Sequence, residues 1–148
     1  LIMMTNFIDE VLQEVGKWQP AKNYRSEIKY TEDLHSALRE KFQNSQVTRD
    51  DKNNKKGLDI GIIHQSMYGD ISVGIELKYN LDKTAEYHRL IGQIETKGWR
   101  YGHIVVVLVG QTNNNMYINL KNWVKSKRNV ITGVPQKPIY IVPKGSLE

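Results

Sequence analysis

Gly57-Leu58-Asp59-Ile60-Gly61-Ile62-Ile63 and Val73-Gly74-Ile75-Glu76-Leu77-Lys78-Tyr79 are two neighbouring apolar segments, each carrying acid inside what reads as buried strand. A carboxylate in a strand core costs several kcal/mol, roughly, unless something compensates it. A hairpin centred between Met67 and Tyr68, with Ser66-Met67-Tyr68-Gly69 as its loop, fixes the register. Leu58 then faces Leu77, Ile60 faces Ile75 and Ile62 faces Val73, an apolar face suited to a core. On the other face Asp59 lies opposite Glu76, Gly61 lies opposite Gly74, and Lys78 projects beside Glu76. This predicts a compact acidic site with room next to it.

Two like charges at cross-strand distance repel unless a cation sits between them. Oxygen ligation of this kind suits Mg²⁺, with Mn²⁺ as a substitute. The chain has no Cys and its four His (His35, His64, His88 and His103) are scattered, which argues against zinc and against His catalysis. An ammonium two residues beyond the second carboxylate can hold or deprotonate an attacking water and neutralise charge on a phosphate. The chemistry that fits is phosphodiester hydrolysis.

An Asp on one strand followed by Glu-Xaa-Lys on the next resembles the signature of the PD-(D/E)XK nuclease superfamily, here Asp59 and Glu76-Leu77-Lys78, with Leu58 where the motif has Pro. Glu-Xaa-Lys also occurs as Glu27-Ile28-Lys29 and Glu95-Thr96-Lys97, but only the middle copy sits in a strand with a facing Asp. The resemblance implies a restriction-endonuclease-like α/β fold with an αβββαβ core and a mixed central sheet flanked by helices. It implies that Asp59, Glu76 and the Leu77 carbonyl hold Mg²⁺, that Lys78 orients or activates water, and that products carry 5′-phosphate and 3′-hydroxyl ends. The superfamily often adds an acid from its first core helix, and Glu27 is preferred to Glu32 because it lies on the apolar stripe. In some branches the helix after the motif contributes a Gln, which Gln93 resembles, although the Tyr that one branch carries four residues later is Lys97 here.

The predicted elements follow the same order. A helix from about residue 24 to 42 sets Glu27, Thr31, Leu34, Leu38 and Phe42 in a stripe, with Ser26 as a candidate cap. A short strand at 46–49 precedes the hairpin. A helix over 82–97 carries Leu90, Ile91 and Ile94 and is stopped by Gly98, and Ile104 to Val109 reads as a central strand covered on both faces. The resemblance covers residues 24–110. An amphipathic helix before Trp18, a helix over 115–128 and a strand over 138–142 extend it within one domain, 1–148.

The net charge of +5 has the sign that nucleic-acid binding requires. Lys52, Lys55 and Lys56 crowd the loop entering the Asp59 strand and are candidate contacts to phosphates flanking the cut, while Lys121, Lys125, Lys127 and Arg128 lie along the last helix. Trp18, Trp99 and Trp123 are candidate stacking residues. Neither a membrane span nor a signal peptide is readable, so the expected location is intracellular, in the cytoplasm. The opening Leu1-Ile2-Met3-Met4 and closing Leu147-Glu148 read as foreign ends, hence as a domain cut from a larger polypeptide. The expectation is a Mg²⁺-dependent nuclease acting on DNA, as a homodimer if it cuts both strands. Two alternatives stand beside it: an idle nuclease-like domain that binds DNA or protein within a larger chain, and an α/β domain whose acidic hairpin holds a structural cation.

Overall fold

The stripe Phe7, Ile8, Val11 and Val15 lies on one side of α1 (Phe7–Lys17) and is buried there. The stripe of α2 (Glu27–Lys41) buries Tyr30, Thr31, Leu34 and Leu38 beside it. The structure is a computed structural model that describes residues 6–50, 55–128 and 137–148. Residues 24 to 26 stay outside α2: Ser26 is extended and its side chain makes no cap bond. The hydroxyl of Tyr24 instead donates to Asp33 at 2.7 Å, and Asp33 also accepts from the Trp18 indole at 2.9 Å and from the Ala21 amide at 3.0 Å. Burial opposes the Asp33 charge, but these three donors outweigh it and hold the carboxyl below its ordinary range. Trp18, a candidate stacking residue from the sequence, is therefore a buried tie between α1 and α2.

Next come β1 (Gln46–Arg49), β2 (Ile60–Ser66), β3 (Gly69–Tyr79), α3 (Thr84–Lys97), a single 3-10 turn (Gly98–Arg100) and β4 (His103–Val109). The chain continues with β5 (Gln111–Thr112), α4 (Asn114–Arg128), β6 (Ile139–Pro143) and β7 (Ser146–Leu147). The main sheet runs β1-β2-β3-β4-β6. Its first two pairings are antiparallel and its last two parallel. Crossovers of one hand, stepping the same way across the sheet, put α3 and α4 on one face. Leu90, Ile94, Leu120 and Val124 pack there against Ile104, Val106 and Leu108. α1 and α2 cover the opposite face, over Ile60, Ile62, Val73, Ile75, Leu77, Val105 and Val107. The protein is thus α/β, with a five-stranded mixed sheet flanked by helices on both sides.

The hairpin register agrees with the sequence reading: Ile60 pairs with Ile75, Gly61 with Gly74, Ile62 with Val73 and Ser66 with Gly69. Leu58 departs from it. It packs with Leu81 and Leu90 on the α3 face instead of beside Leu77, because β2 starts only at Ile60 and alternation across the sheet holds only inside a ladder. Gly98 differs too. Its φ of −66° is right-handed, so it does not stop α3 by a left-handed turn. It admits close approach, since a Cβ there would lie 2.6 Å from Ile104 Cδ1. β5 and β7 form a second, two-stranded parallel sheet, in which Leu147 pairs with Thr112. Among the described residues no helix is long and apolar enough to cross a membrane.

Candidate active site

Strand β2 peels away from β3 below Ile60, and the two acids replace the backbone ladder at the point of parting. The Asp59 amide donates to Glu76 Oε1 at 3.1 Å, and the Leu77 amide donates to Asp59 Oδ2 at 2.9 Å. Each carboxylate therefore uses one oxygen to satisfy a buried backbone donor of the other strand, which fixes both side chains. Glu76 is wholly buried and the Asp59 side chain is 11% exposed.

What sits between them is an ammonium. Lys55 Nζ lies 2.9 Å from Asp59 Oδ1, 2.9 Å from Glu76 Oε1 and 3.0 Å from Glu76 Oε2. The sequence reading placed Lys55 on nucleic-acid phosphates; in the fold its charge is spent on the acids, because two buried anions attract the nearest cation. Burial alone would depress the Lys55 ammonium, but Glu76 and Asp59 outweigh burial and raise it. Glu76 is pushed up to about 7, first by burial and then by the Asp59 charge, against the pull of Lys55.

Two residues further along β3, about 7 Å on, lies a second pair. Lys78 Nζ is 3.7 Å from Glu27 Oε1, and Glu27 Oε2 accepts the Tyr79 amide at 3.1 Å. Lys78 thus keeps company with Glu27 and not, as the alternation of the strand suggested, with the Asp59 and Glu76 carboxylates. Glu32 is held elsewhere, 3.1 Å from Arg49 and 3.6 Å from Lys29 on the surface. The hydrogen bond from Arg49, and then the Lys29 charge, hold Glu32 below its ordinary value. Among the described residues no three acidic or histidine side chains come close enough to share a metal ion, so Glu27 does not join Asp59 and Glu76 as a third ligand.

The room foreseen beside Gly61 and Gly74 is filled by Tyr101. A Cβ on Gly74 would lie 2.5 Å from Tyr101 Cδ2, and one on Gly61 3.4 Å from Cε1, so the ring rests on both glycines. The Tyr101 hydroxyl accepts the Leu58 amide at 3.0 Å. Burial raises its pKa and so disfavours the phenolate, partly countered by that bond. Asp50 closes the entry loop by accepting the amides of Lys56 and Gly57, while its own amide donates to the Asp59 carbonyl at 3.0 Å. Lys56 itself is exposed, and Lys52 lies outside the described residues. Gln93 Oε1 is buried on α3 without a hydrogen-bond partner.

Sequence reasoning missed Lys55 and Tyr101 as members of the site. The facing Gly61/Gly74 pair, with no side chain to fill the space above it, signalled that some ring would cover it, whereas nothing in the sequence set Lys55 apart from its loop neighbours. His64, by contrast, is structural: it stacks on Phe7 at 4.2 Å and shares a 2.9 Å hydrogen bond with Ser45.

An oxygen-only donor set of two carboxylates, gathered around one cation, is the kind that Mg²⁺ and Mn²⁺ take, since such ions keep several waters and need few protein ligands. The Leu77 amide points to the edge that β2 has left, and in a strand the carbonyl of the same residue leaves on the same side, which adds a third oxygen there. No protein-family model, curated protein or solved structure matches this chain.

Proposed function

We propose that this chain is a metal-dependent nuclease of the PD-(D/E)XK kind that hydrolyses phosphodiester bonds in DNA. The observation that carries the reading is the buried carboxylate pair, Asp59 and Glu76, converging on one cationic position near the end of the strand that continues Glu76-Leu77-Lys78. The order α2-β1-β2-β3-α3-β4 and the mixed sheet also support it. Asp59, Glu76 and the Leu77 carbonyl would hold Mg²⁺ or Mn²⁺ where the ammonium now lies. The bound cation supplies an acidified water and charge stabilisation on the phosphate.

The chain's own groups do the rest. A cation held by the two acids would displace Lys55 from the notch, and its ammonium would then be available to the nucleic-acid backbone beside Lys56. Glu27 holds Lys78 at the end of β3, where its ammonium positions water or screens the phosphate. Gln93 brings its unpartnered oxygen from α3 on the same face of the sheet as Glu76. Cutting both strands would call for a second copy of the site, hence a homodimer.

Supercoiled plasmid, linear duplex and a four-way junction, each with Mg²⁺, Mn²⁺ or EDTA, test the reading on wild type, Asp59→Ala and Lys78→Ala. Metal-dependent cutting that both substitutions abolish is the expected result; no cutting of any substrate sinks it. One observation favours the rival idle module: Lys55 already satisfies both carboxylates. Calorimetric titration with Mn²⁺ separates the two. A nuclease binds the ion in wild type and more tightly as Lys55→Met, whereas an idle domain binds it only as Lys55→Met.

A further inference from the structure

The 3-10 turn after α3 carries Trp99 into solvent, where the residue is 67% exposed. It faces a groove of about 430 Å³ that Trp123, Glu95, Lys127 and Lys137 also line, within the size range of small-ligand sites. Each indole has a cation at its ring: Arg100 Cζ lies 5.3 Å from the Trp99 centroid and Lys127 Nζ 5.6 Å from that of Trp123. Lys137 Nζ donates to the carbonyls of Gly98 and Trp99, which pins the turn that presents the indole. Among the described residues that line the groove, Lys127 and Lys137 stand against one carboxylate, Glu95, whose contact with Lys127 is a loose 4.0 Å between half-exposed side chains. Lys127 can turn away from it at little cost.

We propose that this groove binds an unpaired nucleotide of single-stranded nucleic acid, its base stacked on Trp99 or Trp123 and its phosphate met by Lys127 and Arg100. Two flat π surfaces accompanied by cations select a ligand that is both aromatic and anionic, and a nucleotide is both. Bases of an intact duplex are already stacked on one another and cannot reach the indoles. An apolar protein partner would have to bury the cations beside the rings. The site deepens the nucleic-acid reading above and rests on it. Trp99 and Tyr101 flank Arg100 in one short stretch, and Tyr101 lies over Gly74, two residues from Glu76. A strand end held at Trp99 is therefore on the face of the sheet that carries the acids.

The test uses the whole chain in EDTA, so that nothing is cut, with a labelled oligothymidylate and a duplex of equal length. Anisotropy reports binding and indole emission reports stacking. The single strand should bind more tightly than the duplex and quench the emission. Trp99→Ala should weaken the single strand about tenfold, and Lys127→Glu should weaken it and flatten its salt dependence. Trp99→Ala and Lys127→Glu that both bind like wild type would overturn the site. So would a duplex that binds as well as the single strand. If wild type binds no nucleic acid in EDTA, the groove falls, and cutting with Mg²⁺ or Mn²⁺ still decides the nuclease reading. Trp99-dependent binding without metal-dependent cutting removes catalysis and leaves the groove. Cutting that persists with Trp99-independent binding does the reverse.

Discussion

Gly74, Ile75 and Glu76 are consecutive and all buried, yet they face two different interiors. Ile75 points to the α1 and α2 side, where every neighbouring strand residue is apolar. Gly74 and Glu76 point to the other side, where one is covered by a tyrosine ring and the other is a carboxylate balanced by a lysine. The first interior draws its stability from burying apolar area. The second withholds a charge from water, which opposes folding unless its partners stay in place. Equal burial thus conceals opposite energetics, and the second face is where a binding or catalytic role is affordable only because the first is so regular.

Substitutions at these three positions can break or sharpen the contrast. Ile75→Ala leaves a cavity in the regular face and should destabilise the protein by about 4 kcal/mol, read by urea denaturation. A loss under about 1 kcal/mol would mean that this face is loosely packed. Glu76 is sensitive to pH instead. Its ordinary value of 4.5 is raised to about 7 in the fold, chiefly by burial, so the folded state holds a proton there that the unfolded chain releases. The stability this group adds is therefore complete below pH 4.5 and is lost as pH rises through about 7, a change of about 3 kcal/mol. Glu76→Gln should flatten that slope, and the same slope in both proteins would refute the assignment. Gly74→Ala drives a methyl into the Tyr101 ring, an overpacking worth about 2 kcal/mol. The loss should shrink in a Tyr101→Ala background, and two additive losses would show that ring and glycine do not touch.

The regular face was the more legible of the two. Period two and a short loop determine register, so the pairings from Ile60 to Ser66 could be written from residue types alone. Legibility ended where the ladder ended. At Asp59 side chains replace backbone bonds, and Leu58 falls on the face that alternation forbids it. Asp59 and Glu76 were still found, because a facing pair is a local property of a hairpin. Lys55 was not found as their partner, since a lysine in a charged loop has the same sequence signature whether it turns outward or inward. Tyr101 was hidden by distance: nothing near residue 74 says which aromatic will cover it. Alternation put Lys78 on the Glu76 side of β3, but a long side chain reaches past its own face, and Glu27 lay within reach. The small β5/β7 sheet, two residues per strand, is too short to carry any periodic signal.

The Tyr101 hydroxyl and the Leu58 amide that it accepts are 43 residues apart in sequence, whereas the acid pair is joined by a hairpin with a tight loop. Local contacts form early and distant ones late. The expected order is that Asp59 and Glu76 meet while water still reaches them, with the carboxylates dehydrated once α3 and β4 dock and bring the ring down. A contact made after the rate-limiting step governs how long the folded molecule lasts, not how quickly it forms. Tyr101→Phe should accordingly shorten the lifetime of the native state and leave the refolding rate almost unchanged, which makes this one hydroxyl a kinetic latch on the acidic notch.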